Sequence, residues 1–133
     1  MQLKYQTILA LITAALTAPL APAAPTAEKK AECALDASII YDASYAYQKQ
    51  EPLSDAVGRL TKKYTAAKKG SKMTEETRKQ VSHRVQTFVS AIYLQAQKHE
   101  KELNIDIKGK TEQERKTNAQ TAANAAQKTC LEN

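Results

Sequence analysis

The sequence has no tryptophan, one phenylalanine, three glycines, four prolines and two cysteines. So few glycines and prolines exclude a collagen-like chain or a flexible linker, and two cysteines exclude a disulfide-dense scaffold. The 133 residues suffice for one domain, or one domain with a tail. Reaction motifs are missing too. There is no Cys-x-x-Cys, no His-Glu-x-x-His, no Gly-x-Ser-x-Gly and no glycine-rich phosphate loop. His83 and His99 lie sixteen residues apart on one expected helix. That is about 24 Å, too far to share a metal ion. The carboxylate pairs Glu75/Glu76 and Glu112/Glu114 fall in first turns of expected helices, where they complement the helix dipole. These readings point away from an enzyme and name no cofactor and no metal.

What is present begins with an address. Residues 1–23 read as a cleaved signal peptide: Lys4 supplies the positive start, Ile8 to Ala18 is an apolar run, and Ala21-Pro22-Ala23 offers the small-x-small cleavage pattern. A retained anchor is the rival reading, but the run is shorter than the ~20 apolar residues that span a bilayer. Cys33 follows Lys30-Ala31-Glu32, which is not the apolar lead-in of a lipoprotein. No other stretch is apolar enough to span, so the expected mature protein, residues 24–133, is a soluble single helical domain of the periplasm, with secretion as the alternative.

That mature chain carries 19 basic and 14 acidic residues, a net charge of +5. Leu, Ile, Val and Phe make up 16 of its 110 residues. This is about 15 per cent, below the ~20 per cent at which disorder becomes a concern. Alanine, with 17 residues, fills much of the gap. It favours helix but buries little area. A thin core makes the cysteines important. Cys33 and Cys130 sit near opposite ends of the mature chain, and in an oxidising compartment their simplest state is one internal disulfide. Two free thiols or an intermolecular bridge are the alternatives.

Four helices are expected. Thr26 caps the first, which runs to about Gln50 with a stripe of Leu35, Ile39, Ala43 and Ala46; Pro52 ends it. Ser54 is placed to cap the second and Gly70 to stop it. Thr74 caps the third and longest, which carries Val81, Val85, Phe88 and Ile92; its length calls for a kink or a projecting end near His99. Thr111 and Glu114 form a capping-box pattern before the fourth, whose inner face is Ala119, Ala122, Ala123 and Ala126. A Cys33–Cys130 bond would make the first and fourth helices antiparallel neighbours. The fold class is therefore all-α: an irregular four-helix bundle closed by one disulfide.

Two features mark a candidate partner surface. One is a basic run that includes Lys62, Lys63, Lys68 and Lys69, suited to an anionic surface or an acidic envelope protein. Nucleic acid is not indicated, since little aromatic interleaving accompanies it. The other is the cluster Tyr41, Tyr45 and Tyr47, amphipathic rings of the kind found at interfaces. The plain alternatives are a solvated face and rings that roof a thin core.

The outline Cys33-x-Leu35, Ile40-Tyr41-Asp42, a polar Gln48-Lys49-Gln50 turn, Ile92-Tyr93 on a long helix and a final Cys130 resembles small exported helical proteins of proteobacteria with one cysteine near each end. The same outline is shared with the acid-stress periplasmic chaperones of the HdeA type, although this chain lacks their tryptophan and has a longer third helix. The expected function is a non-catalytic binding or adaptor module of the cell envelope. The resemblance adds a second expectation, an acid-responsive chaperone-like holdase.

Overall fold

The computed structural model describes residues 23–67 and 70–133. The expected signal peptide, apart from Ala23, and the pair Lys68 and Lys69 lie outside the described residues. Four helices are present: α1 (Ala27–Gln48), α2 (Leu53–Thr65), α3 (Glu75–Leu103) and α4 (Glu112–Glu132).

Local chemistry sets most of their ends. The Thr26 hydroxyl accepts from Lys29 N at 3.1 Å and opens α1. The helix stops at Gln48, two residues short of the expected end, because Gln50 takes a left-handed conformation with φ 60°. Gln50 N then donates to Tyr47 O and Glu51 N to Ala46 O, the paired bonds of a Schellman turn. Ser54 does not cap α2. Pro52, with its φ pre-set, stands at the cap, and its carbonyl accepts from Ala56 N at 3.0 Å, so Ser54 already lies inside the first turn. Nor does Gly70 stop α2. The helix ends at Thr65, where Ala66 turns extended, and Gly70 takes its φ of 93° further on in the connection. Thr74 caps α3 as expected, accepting from Thr77 N, and α3 runs unbroken past His99 to a left-handed Asn104. Thr111 and Glu114 complete their capping box at the start of α4.

The fold is an irregular four-helix bundle, and α1 is its axle. The helices alternate in direction, and α1 packs on each of the other three. Ile39, Ala43, Ala46 and Tyr47 of α1 meet Ala56 and Leu60 of α2 and Val85, Val89 and Tyr93 of α3 in one buried cluster. No residue of α4 belongs to that cluster. Of the described helices, α4 packs its backbone closely against α1 alone and keeps it away from α2 and α3. Its buried contributions are Ala119 and Ala123, whose small side chains let the two helices approach closely.

Two fastenings hold α4 at its ends. Cys33 and Cys130 form a disulfide, with Sγ–Sγ 2.01 Å and Cα–Cα 5.6 Å, which makes α1 and α4 antiparallel as expected. At the other end, buried Gln48 joins α1, the α3–α4 loop and α4. Its Oε1 accepts from Gly109 N at 2.6 Å and from Asn118 Nδ2 at 3.2 Å, while its Nε2 donates to Ile107 O at 3.3 Å. Gly109 fits here because a Cβ would come within 2.6 Å of Arg115 N. The adjoining Lys108 pairs with Glu100 at 2.9 Å and lies over the Tyr47 ring.

Candidate functional site

A helix seated on one neighbour leaves a cleft on each flank. Between α4 and α3 runs a groove of about 520 Å³. Tyr47, Ile92, Ala96, Ile107 and Ala122 give it apolar walls, and Gln95, His99, Asn118 and Thr121 add polar groups. On α3, Phe88, Ile92, Ala96, His99 and Leu103 follow one another at intervals of three or four residues, so they share a side of the helix. In a closed bundle that side would meet α4. Here it does not, and Leu103 is 54% exposed.

On the opposite flank, α4 and α2 border a second cleft of about 510 Å³. It brings together parts of both sequence features: Tyr41 from the tyrosine cluster and Lys63 from the basic run line the same space. Asp42 is the link between them. Its Oδ2 accepts from Lys63 Nζ at 2.6 Å and from Tyr64 Oη at 2.6 Å. Burial, reinforced by that bond to Asp42, pushes the Tyr64 phenol far above the ordinary tyrosine range, so it stays protonated and donates.

The structure distributes the candidate surface residues unequally. Tyr41 and Tyr45 lie with their rings nearly parallel, 6.3 Å between centroids, and both remain half-buried. The Tyr45 hydroxyl donates to Glu112, which ties α1 to the first turn of α4. Tyr47 parts from the other two and lies instead at the wall of the α3–α4 groove. It is buried, edge-on to Tyr93 at 5.2 Å, because its position in the helix turns it toward the core rather than beside Tyr41 and Tyr45. Lys62 is exposed, whereas Lys63 is engaged by Asp42; Arg59, in the same run, is held by Glu51 at 2.7 Å. Of the described members of the run, Arg59 and Lys63 thus already have a carboxylate partner, while about half of each side chain stays exposed. The groove along α3 was missed in the sequence because its residues read as ordinary core positions. Only the α1-centred packing reveals that α4 does not close over them, so that Phe88, Ile92 and Ala96 stay half-buried against the core.

Charged contacts also tie the helices together. Arg84 of α3 donates to Glu32 and lies 3.0 Å from Asp36 Oδ1, both on α1. The hydrogen bond from Arg84 holds the Glu32 carboxyl below its usual range, whereas burial pushes Asp36 up despite the same guanidinium. No group of three or more His, Cys, Asp or Glu among the described residues is placed to hold a metal ion, and no described helix is long and apolar enough to cross a membrane. Comparison with family models, curated proteins and solved structures finds no match to this chain.

Proposed function

We propose that the protein is a non-catalytic binding or adaptor module of the cell envelope, working in the periplasm, and that its protein partner enters the groove between α3 and α4. The observation that carries this reading is the half-covered side of α3. Ile92 and Ala96 face a space floored by α1 and bordered by α4, of a size usual for ligand sites. An amphipathic helix laid there would complete the packing that α4 leaves open, with an apolar stripe against Ile92, Ala96 and Ala122. The expected mature chain's net charge of +5, from 19 basic and 14 acidic residues, favours a segment with acidic flanks. The periplasmic assignment rests on the apolar leading segment together with a disulfide that suits an oxidising compartment.

The test is capture of the partner by a photocrosslinking side chain at Gln95, which is exposed beside the groove. One protein recovered in stoichiometric amount, and lost in Ala96→Arg, is the expected result. Crosslinking that is indifferent to Ala96→Arg would exclude the groove.

A second reading, an acid-activated holdase, is favoured by a different observation. Contacts that tie α3 and α4 to α1, Arg84–Glu32 and Tyr45–Glu112, use carboxylates. Protonation weakens both and would free apolar surface to hold unfolding clients. Far-UV circular dichroism and a client-aggregation assay at about pH 2 test it against the carboxylate range; an intact fold without client protection removes the holdase.

A further inference from the structure

The cleft between α2 and α4 has a chemistry different from that of the groove on the other flank. Two tyrosines, Tyr41 and Tyr64, reach it from α1 and α2. Facing them from α4 are Gln127, whose side-chain amide offers both donors and an acceptor, and Gln120, whose Nε2 donates to Asn124 Oδ1 at 2.8 Å and whose carbonyl oxygen can accept. Ser38 and Asp42 add a hydroxyl and a carboxylate. Ala34, Ala37 and Ala123 complete the lining, and these small residues leave room for a flat group to lie close to the helices.

The charge balance narrows the ligand. Lys63 and Asp42 neutralise each other at 2.6 Å, and among the described residues no other ionisable acid or base besides the two phenols lines the cleft. Among these described residues a phosphate or polyanion finds no surplus cation, and a cationic peptide no surplus anion. A purely apolar ligand would cut polar groups of the lining, the Gln127 amide among them, off from water. What remains is an uncharged molecule with one carbon-hydrogen face for an aromatic ring and hydroxyls around its edge.

We infer that this cleft is a saccharide-binding site that takes a pyranose unit of an uncharged oligosaccharide, with Tyr41 as its stacking platform and Asp42, Gln120 and Gln127 as its hydroxyl partners. Both bonds that hold Asp42 arrive at Oδ2, so Oδ1 is directed by a carboxylate already fixed in place by Lys63 and Tyr64. That preorganisation removes part of the ordering cost of binding. The volume of about 510 Å³ accommodates a short oligosaccharide segment. This site lies across α4 from the proposed protein groove, so the inference stands or falls independently of it.

The experiment is titration of the oxidised protein with chitotetraose, N-acetylated throughout, and separately with maltotetraose, followed by amide chemical shifts. The expected result is a saturable response to at least one sugar, confined to residues around Tyr41, Tyr64 and Gln127. Tyr41→Ala weakens it about tenfold, the scale of one lost aromatic contact. Gln127→Ala, at a position of α4 outside the core cluster, also weakens it, and Ala96→Arg in the other groove leaves it unchanged. A preference for chitotetraose would identify an N-acetylated glycan as the source, and a preference for maltotetraose a plain glucan. No saturable response to either sugar, or a response that survives Tyr41→Ala and Gln127→Ala in folded protein, overturns the site.

Discussion

Gln50 occupies a backbone position that usually belongs to glycine. At φ 60° its Cβ crowds the neighbouring backbone, while the Schellman turn at the end of α1 requires that angle. Gln50→Gly is therefore expected to stabilise the protein, by roughly 0.5 kcal/mol after the entropy of the more flexible unfolded chain is counted. Thermal melting would register it as a higher Tm; a lower one would mean that the Gln50 side chain contributes more than its backbone angle costs. Gly109 makes the opposite case. Its problem is space, since an added Cβ would lie 2.6 Å from Arg115 N and 2.8 Å from Glu114 Cβ. Gly109→Ala should push the loop off Gln48 and cost about 1–3 kcal/mol, as overpacking does. An unchanged melt would show that the first turn of α4 yields freely.

Between elements, titration decides how firmly the helices hold. Glu32, Glu51 and Glu112 all have pKa values below their ordinary 4.5, each chiefly through a hydrogen bond from Arg84, Arg59 or Tyr45. Groups lowered in the folded state lend stability that is complete above the unfolded value and is lost as pH falls through the folded one. Asp36 opposes them. Burial raises its pKa above 3.8, so its share favours the fold at low pH and fades as pH rises through the folded value. Three interelement carboxylates outweigh one, and Tm is expected to fall on acidification from about pH 5 downward. A Tm that rises over that interval would make the Asp36 burial the dominant effect. Removing that burial cost with Asp36→Asn should steepen the acid loss.

Much of this level was legible in the sequence. Thr26, Thr74 and the Thr111–Glu114 box mark helix starts through bonds closed within a few residues, so composition alone locates them. Ser54 misled because Pro52 supplies a start two residues sooner. Tyr47 misled because it points to a different side of α1 from the stacked pair Tyr41 and Tyr45, and its burial depends on the distant Tyr93. The open side of α3 was illegible for a related reason. Its apolar spacing is that of any core helix, and only the arrangement of all four shows that α4 chose another neighbour.

For the whole molecule, the disulfide and the Gln48 junction stand in for the core that α4 lacks. The bond closes a loop with a sequence separation of 97, for which chain entropy alone gives about 4–5 kcal/mol. Reduction is expected to lower Tm clearly. Hydrogen exchange should show α4 opening first, with Val85 and Val89 of α3 still protected in the α1–α3 cluster. A melt unaltered by reductant would mean that the alanine seam holds α4 unaided. Uniform loss of protection would mean that the four helices form one cooperative unit.

The same bond has a mechanical meaning. The two cysteine Cα atoms are 5.6 Å apart, and each lies close to an end of the helical domain. A force applied to the two tails is borne by sulfur rather than by helix packing. Stretched this way, the oxidised protein yields only the segments outside the bond and stays folded at its centre. Once reduced, it pays out the whole intervening chain, beginning with the helix that has the fewest neighbours.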